Sequence, residues 1–176
     1  KPKGAIVFSV MALLSYQLVL LVFGDLSLSG NAVLKLDTWL IGASHMYHGD
    51  GIAFDPEGLL STLPAIVNII GGYLAGSFLQ KSGQNYKTIA LLTMFGSFLI
   101  FMALGWDLLF PINKKLWTSS FVLLTIGIDL IIISVLVYFL DILKKDKWTY
   151  FFEVLGKNPL FIYLLSELLV ISLYQF

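Results

Sequence analysis

The sequence contains no cysteine and no arginine, and all 11 of its basic residues are lysine. The first absence removes thiolate catalysis, disulfides and cysteine metal sites. The second removes the planar guanidinium fork that clamps phosphate or carboxylate with two parallel hydrogen bonds. Charge itself is scarce, at 12% of 176 residues, against roughly 25% in a soluble domain. The 11 acidic residues balance the 11 lysines, so the chain lacks the basic footprint of a nucleic-acid-binding protein and no nucleic acid is expected as a partner.

Hydrophobic residues make up 58% of the chain, and five apolar runs dominate it: 5–23, 59–79, 88–106, 118–140 and 159–174. A helix needs about 20 such residues to cross a bilayer. Backbone groups in lipid must be satisfied within the segment, so long uninterrupted runs predict helices rather than a barrel. The expected fold is all-α: a polytopic transmembrane helix bundle of about five spans, one membrane domain over 1–176, with the lipid bilayer as its partner. The first run begins within five residues of the start, but it is longer than a signal-peptide core and lacks a small-residue exit, so it reads as a span. Trp106, Trp117 and Trp148 fall at or near span ends, where indole rings prefer the headgroup layer. Trp39 sits in the mixed segment 33–41, which reads as resting on the membrane surface.

Lysine placement orients the bundle. With the N-terminus cytoplasmic, Lys1, Lys3, Lys81, Lys87, Lys144, Lys145, Lys147 and Lys157 lie inside, and Lys35, Lys114 and Lys115 lie outside. Eight against three follows the positive-inside rule. The segment 24–58 is then one long extracytoplasmic loop. An odd number of spans with no polar tail reads as a fragment of a larger polytopic protein.

Polar residues within the runs mark the faces expected to meet protein. Gly72 and Gly76 form a GxxxG on the second run, a pattern that lets another backbone approach closely and offers a route to homo-oligomers. Asn68, on the same side, reads as a hydrogen bond to a neighbouring helix. Asp129 and Glu167 fall near the middles of the last two runs. An acid there costs roughly 2.5–3.5 kcal/mol on the insertion scale, so both are expected to face the bundle interior or a wet cavity. Thr125 and Tyr163, one turn earlier, are their same-face hydroxyl partners in this reading.

Titratable groups gather in 41–60. His45, His48, Asp50, Asp55 and Glu57 fall within thirteen positions. Two imidazoles without thiolates or a zinc-type spacing make a poor metal set, and no metal is expected. An imidazole can serve as general base near neutral pH; the plainer reading is a polar connecting loop. Asp55-Pro56-Glu57 fits the start of a helix: Asp as N-cap, Pro in the first turn, Glu against the positive helix end. Lys114 and Lys115 in 111–117 read as attractors of an anionic group or as interfacial anchors. Lys157, with the amides of the turn 156–159, fits a phosphate or an ordinary cap.

Taken in order, the segments 31–37, 40–42, 45–47, 54–60, 111–117 and 156–159 resemble the heparan-α-glucosaminide N-acetyltransferase family, whose bacterial members are described as membrane acyltransferases. The resemblance covers nearly the whole chain, and the Asp-Pro-Glu-Gly segment following Asn31, Asp37, Gly42, His45 and Tyr47 is its most specific part. It implies the C-terminal half of a protein with about twice as many spans, in a bacterial inner membrane. The chain departs from the family at Thr38, where an arginine is common, and at Ser166, where a histidine can precede the glutamate. The family's acetyl-carrying histidine lies upstream of everything here.

By this resemblance, acetyl-CoA is the expected donor and an amino sugar or glycan the acceptor. His45, Asp55 and Glu57 are the expected catalytic group at the outer mouth. Asn31, Asp37, Tyr47, Asn113, Lys114 and Glu167 are the expected substrate-binding residues. Lys157 and Asn158 are expected on the CoA side. The competing reading is a sugar or small-solute transporter whose path is lined by Asn68, Asp129 and Glu167.

Overall fold

The computed structural model describes residues 2–49 and 51–174. Every regular element among them is helical. The chain divides into two compact units, Lys1–Val135 and Leu136–Phe176.

The first unit holds α1 (Pro2–Phe23), α2 (Ala32–Leu40), a 3-10 turn (Ala43–His45), α3 (Thr62–Ser82), α4 (Tyr86–Asp107) and most of α5 (Ser119–Val137). Four segments are long and apolar enough to cross a membrane: Pro2–Phe23, Thr62–Ser82, Tyr86–Asp107 and Ser119–Ile142. Their boundaries follow local chemistry. Gly83, at φ 73°, ends α3 in a conformation that side chains disfavour, and its N–H bonds Leu79 O at 2.9 Å. Asn85 then starts α4 as an N-cap, its Oδ1 accepting from Thr88 N at 3.0 Å. The segment 24–58 is not an open loop. Asn31 caps α2 within it, and that helix buries Ala32, Val33 and Asp37 while leaving Trp39 exposed.

Two apolar clusters hold this unit together. Tyr16, Leu20, Ala32, Val33 and Phe110 join the end of α1 to α2 and to the chain leaving α4, with Leu60, Leu63 and Trp106 against them. Ala12, Leu13, Val67 and Val122 join α1, α3 and α5. Polar bonds cross between the helices at the same levels. Trp106 Nε1 donates to Gln17 Oε1 at 2.9 Å, and Ser119 Oγ to Leu13 O at 2.8 Å. Asn68 donates to Thr125 Oγ1 at 2.9 Å and accepts from Trp117 Nε1 at 3.1 Å, the inter-helix role read from its sequence position.

The glycines that bring helices together are not the GxxxG pair. A Cβ at Gly72 or Gly76 would meet nothing within 4 Å among the described residues, so the pair supports no close approach of another helix backbone there. A Cβ at Gly96 would lie 2.7 Å from Gly127 O, and one at Gly127 would lie 2.8 Å from Gly96 O. Here α4 and α5 cross backbone to backbone, as only paired glycines allow.

The second unit holds a π-helical turn (Tyr138–Ile142), α6 (Thr149–Lys157) and α7 (Pro159–Tyr174). The fifth apolar run thus forms a helix of only 16 residues. It is bent by 95° from α6, and the pair together makes a broken span or a re-entrant segment. Asn158 ends α6 and Pro159 begins α7; proline is tolerated at a helix start because its missing N–H has no partner there anyway.

Candidate functional site

Most of the polar residues singled out above belong to the first unit, on the segments 24–61 and 107–118. The first segment is built from nested turns. Ser27 Oγ and N both donate to Asp25 Oδ1, and these bonds hold the Asp25 carboxyl below the usual carboxylate range. Asn31 is fully buried and its amide is committed: Oδ1 accepts from Leu34 N at 2.8 Å, and Nδ2 donates to Ser27 O and Leu28 O at 2.9 and 2.8 Å. Its observed work is to fix the start of α2.

After α2 the chain turns at Gly42, at φ 87°, into the short turn that ends at His45. His45 is exposed, with Nδ1 3.2 Å from Ser44 Oγ. Met46 and Phe54 are buried, and Phe54 N bonds Tyr47 O at 2.9 Å, so residues 47–54 close into a loop with an apolar base. His48 lies on the exposed part of that loop, beyond the 3-10 turn, so the two histidines do not share a helical face. Tyr47 is exposed as well. Asp50 lies outside the described residues.

Asp55, Pro56, Glu57 and Gly58 form a turn of their own and do not cap α3. Asp55 O accepts from Gly58 N at 3.2 Å, and Asp55 Oδ1 accepts from Glu57 N at 3.0 Å. Asp at the first position, Pro at the second and Gly at the fourth are the residues of a type I turn. The helix α3 starts only at Thr62, after Ser61, whose Oγ donates to Gly58 O at 2.7 Å. Proline explains the displaced helix start: it suits the second position of a turn as well as the first turn of a helix, and here Gly58 closes the turn. Asp55 is half-buried and Glu57 exposed.

Beneath this turn lies Asp37, fully buried. Its Oδ1 accepts from Leu59 N at 3.1 Å, and its Oδ2 has no partner among the described residues. A Cβ on Gly58 would lie 2.2 Å from that Oδ2 and 2.6 Å from Val33 Cγ1, so the glycine backbone closes over the carboxyl. Burial pushes the Asp37 carboxyl above the usual range; the Leu59 amide opposes this and the nearby Asp55 adds to it. Tyr16, also fully buried, lies within electrostatic range of Asp37 and donates to Leu116 O.

That last bond ties the second segment to the same end of the unit. Within it Asn113 Oδ1 accepts from Lys115 N and Leu116 N at 2.9 and 3.3 Å, and Asn113 N donates to Thr118 Oγ1 at 2.9 Å. Asn113 therefore shapes this loop, while Lys114 projects as an exposed cation. Beside α2 runs a groove of about 420 Å³ lined by Val19, Phe23, Ala32, Lys35, Leu36, Trp39 and Leu60.

The two acids within the spans are placed otherwise than expected. Asp129 is exposed on α5, and Glu167 is exposed on α7. Thr125 bonds Val122 O and Asn68 and is not the partner of Asp129. The Tyr163 carbonyl accepts from Ser166 Oγ. An amphipathic pattern cannot orient these residues, because α5 and α7 are apolar all round and offer no polar face to match. In the second unit Lys157 is exposed and lies 3.9 Å from Glu153, and Asn158 Nδ2 donates to Val154 O at 2.9 Å as α6 ends.

No family model matches the sequence. Two curated proteins do. The heparan-alpha-glucosaminide N-acetyltransferase of Mus musculus is 29% identical over 161 residues, covering 80% of this chain and 24% of the mouse protein. The Homo sapiens protein of the same name is 27% identical over 157 residues, covering 79% and 23%. The chain is a distant relative of these acetyltransferases. It spans about a quarter of their length.

Reasoning from the sequence missed Gly58, Leu59 and Tyr16. Gly58 carried a signal, as the fourth residue of an Asp-Pro-x-Gly turn. Tyr16 and Leu59 carried none, since one is an aromatic within an apolar run and the other contributes only its backbone.

Proposed function

We propose that this chain is part of a membrane acetyltransferase that moves an acetyl group from cytoplasmic acetyl-CoA to an amino sugar or glycan on the other side of the bilayer. The relationship to the N-acetyltransferases carries this reading. The gathering of polar turns at one end of a four-span unit supports it.

The reaction breaks the thioester C–S bond and forms an amide C–N bond. The amine must lose a proton and coenzyme A must leave as the thiol. His45 is the candidate base: it is exposed, and imidazole is the usual side chain for proton transfer. Glu57 and Asp55, on the turn after it, are the candidates to hold the cationic amine before it is deprotonated. Tyr47 and Lys114 are exposed and free to meet the acceptor. Asn31 and Asn113 serve this site by shaping its two segments. Lys157 is the candidate cation for the CoA phosphates, with Asn158 setting the turn that presents it. Glu167, exposed on α7, is assigned to the acceptor path.

The test uses the full-length protein in sealed, inside-out membrane vesicles containing glucosamine. Acetyl-labelled CoA added outside is expected to yield labelled N-acetylglucosamine within. Entry of unmodified sugar without label transfer would overturn the reading in favour of a transporter. Transfer only when acetyl-CoA is enclosed and glucosamine is supplied outside would reverse the proposed orientation.

A further inference from the structure

Asp37 is the one buried side chain among the described residues whose polar atom is left without a partner. Its surroundings explain what that atom does. Oδ1 holds the Leu59 amide, 22 residues along the chain. Oδ2 faces the Cα of Gly58, where no side chain fits, and Val33 lies beside it. An ionised carboxylate in that position would be buried with a single hydrogen bond and no counter-ion, a costly state. The neutral acid keeps the same acceptor for Leu59 at far lower cost. The titratable groups that face it among the described residues do not favour ionisation. Asp55, on the turn above, repels a second negative charge. Tyr16, from α1, has its hydroxyl committed to Leu116 O. Lys35, on the same helix, is exposed and donates to Phe23 O at 2.9 Å.

We propose that Asp37 is a positioning residue: in its neutral form it latches residues 58–59 onto α2 and so sets where Asp55 and Glu57 stand, and its ionisation releases the turn. The inference rests on the acetyltransferase reading only for its consequence in turnover. The latch itself is a property of the fold. Because the folded chain holds this proton more tightly than the unfolded chain does, the latch contributes fully at pH values below the ordinary carboxylate range. Its contribution is lost as pH rises through the raised value.

Hydrogen exchange of the 54–63 peptide in detergent-solubilised protein reads the latch directly. Asp37→Asn keeps a neutral acceptor for Leu59 and removes the charge change. Taking the ratio of wild-type to Asp37→Asn exchange at each pH cancels the intrinsic chemistry. That ratio is expected to stay near one at about pH 3 and to rise at least about tenfold (some 1.4 kcal/mol of opening) by pH 9. Asp37→Ala should exchange fast throughout. A ratio flat within about twofold across the range overturns the proposal. If Asp37→Asn does not fold, Gly58→Ala carries the test. It should mobilise the same peptide at every pH, and unchanged exchange overturns the latch. In the acetyl-transfer assay, turnover of the wild type should fall with rising pH in step with exchange, while Asp37→Asn removes that limb of the profile. A switch in exchange in a protein without acetyl transfer leaves the latch standing and removes the acetyltransferase reading instead.

Discussion

Asp37 lies on the short helix α2, outside any span, and is fully buried; Asp129 lies well inside the α5 span and is exposed. Simple patterning would reverse the two. The acid outside the spans is enclosed because a distant turn closes over it, with Gly58 and Leu59 supplying the cover. The span acid is exposed because its face of α5, with Ile128, Ile132 and Val135, meets no other helix of the first unit. Burial in this chain is thus decided by which segment latches onto which, and depth along an apolar run does not decide it. The polar residues that remain exposed, His45, Glu57 and Lys114, stand on the latched segments.

The largest expected effect comes from exchanging both acids for leucine. Asp37→Leu strands the Leu59 amide and overfills the space under Gly58, and should cost about 2–4 kcal/mol of stability. Asp129→Leu removes a carboxyl from an exposed apolar face. Stability should hold or rise, in line with the roughly 2.5–3.5 kcal/mol that an acid costs at mid-bilayer. Thermal unfolding in detergent measures both, and equal losses from the two substitutions would break the comparison.

A second pair sharpens it with one residue type in two environments. A side chain at Gly127 meets Gly96 O at 2.8 Å and Ile100 Cγ1 at 2.7 Å, whereas one at Gly72 meets nothing. Gly127→Val should destabilise by about 1–3 kcal/mol through separation of α4 from α5. Gly72→Ala should be neutral or should stabilise by up to about 1 kcal/mol, since glycine is a poor residue in a helix interior. A loss on Gly72→Ala that depends on protein concentration would instead place that stripe in contact with a second copy of the chain.

The spans were legible because hydropathy and length are local properties, and four of the five runs became helices long enough to cross. Asn31 could have been read as a cap, with the amide it binds three residues on. Asp55, Pro56 and Glu57 fit a helix start because aspartate and proline serve both helices and turns; Gly58 at the fourth position is the distinguishing sign. The GxxxG spacing was visible, but which side of α3 meets a neighbour is not written in the spacing. The burial of Asp37 was not legible at all, since its cover comes from residues 21 and 22 positions away and one of them acts only through its N–H.

The smallest expected effect on folding is at His45. Its ring is exposed, its one described polar neighbour is Ser44, and it belongs to neither apolar cluster. His45→Ala should therefore move stability by no more than about 0.5 kcal/mol. On the proposed acetyltransferase reading, the same substitution in the full-length protein should lower turnover by about 10²-fold or more if the imidazole takes the proton of the acceptor amine. A conservative partner, His45→Gln, keeps a polar side chain but cannot accept that proton, and should be as slow as alanine. The contrast with Asp37 is then complete within one segment: one residue that governs stability through pH, and one that leaves stability alone and governs chemistry. Unchanged turnover in His45→Ala would move the base to Asp55 or Glu57, the remaining acceptors on the turn that Asp37 holds.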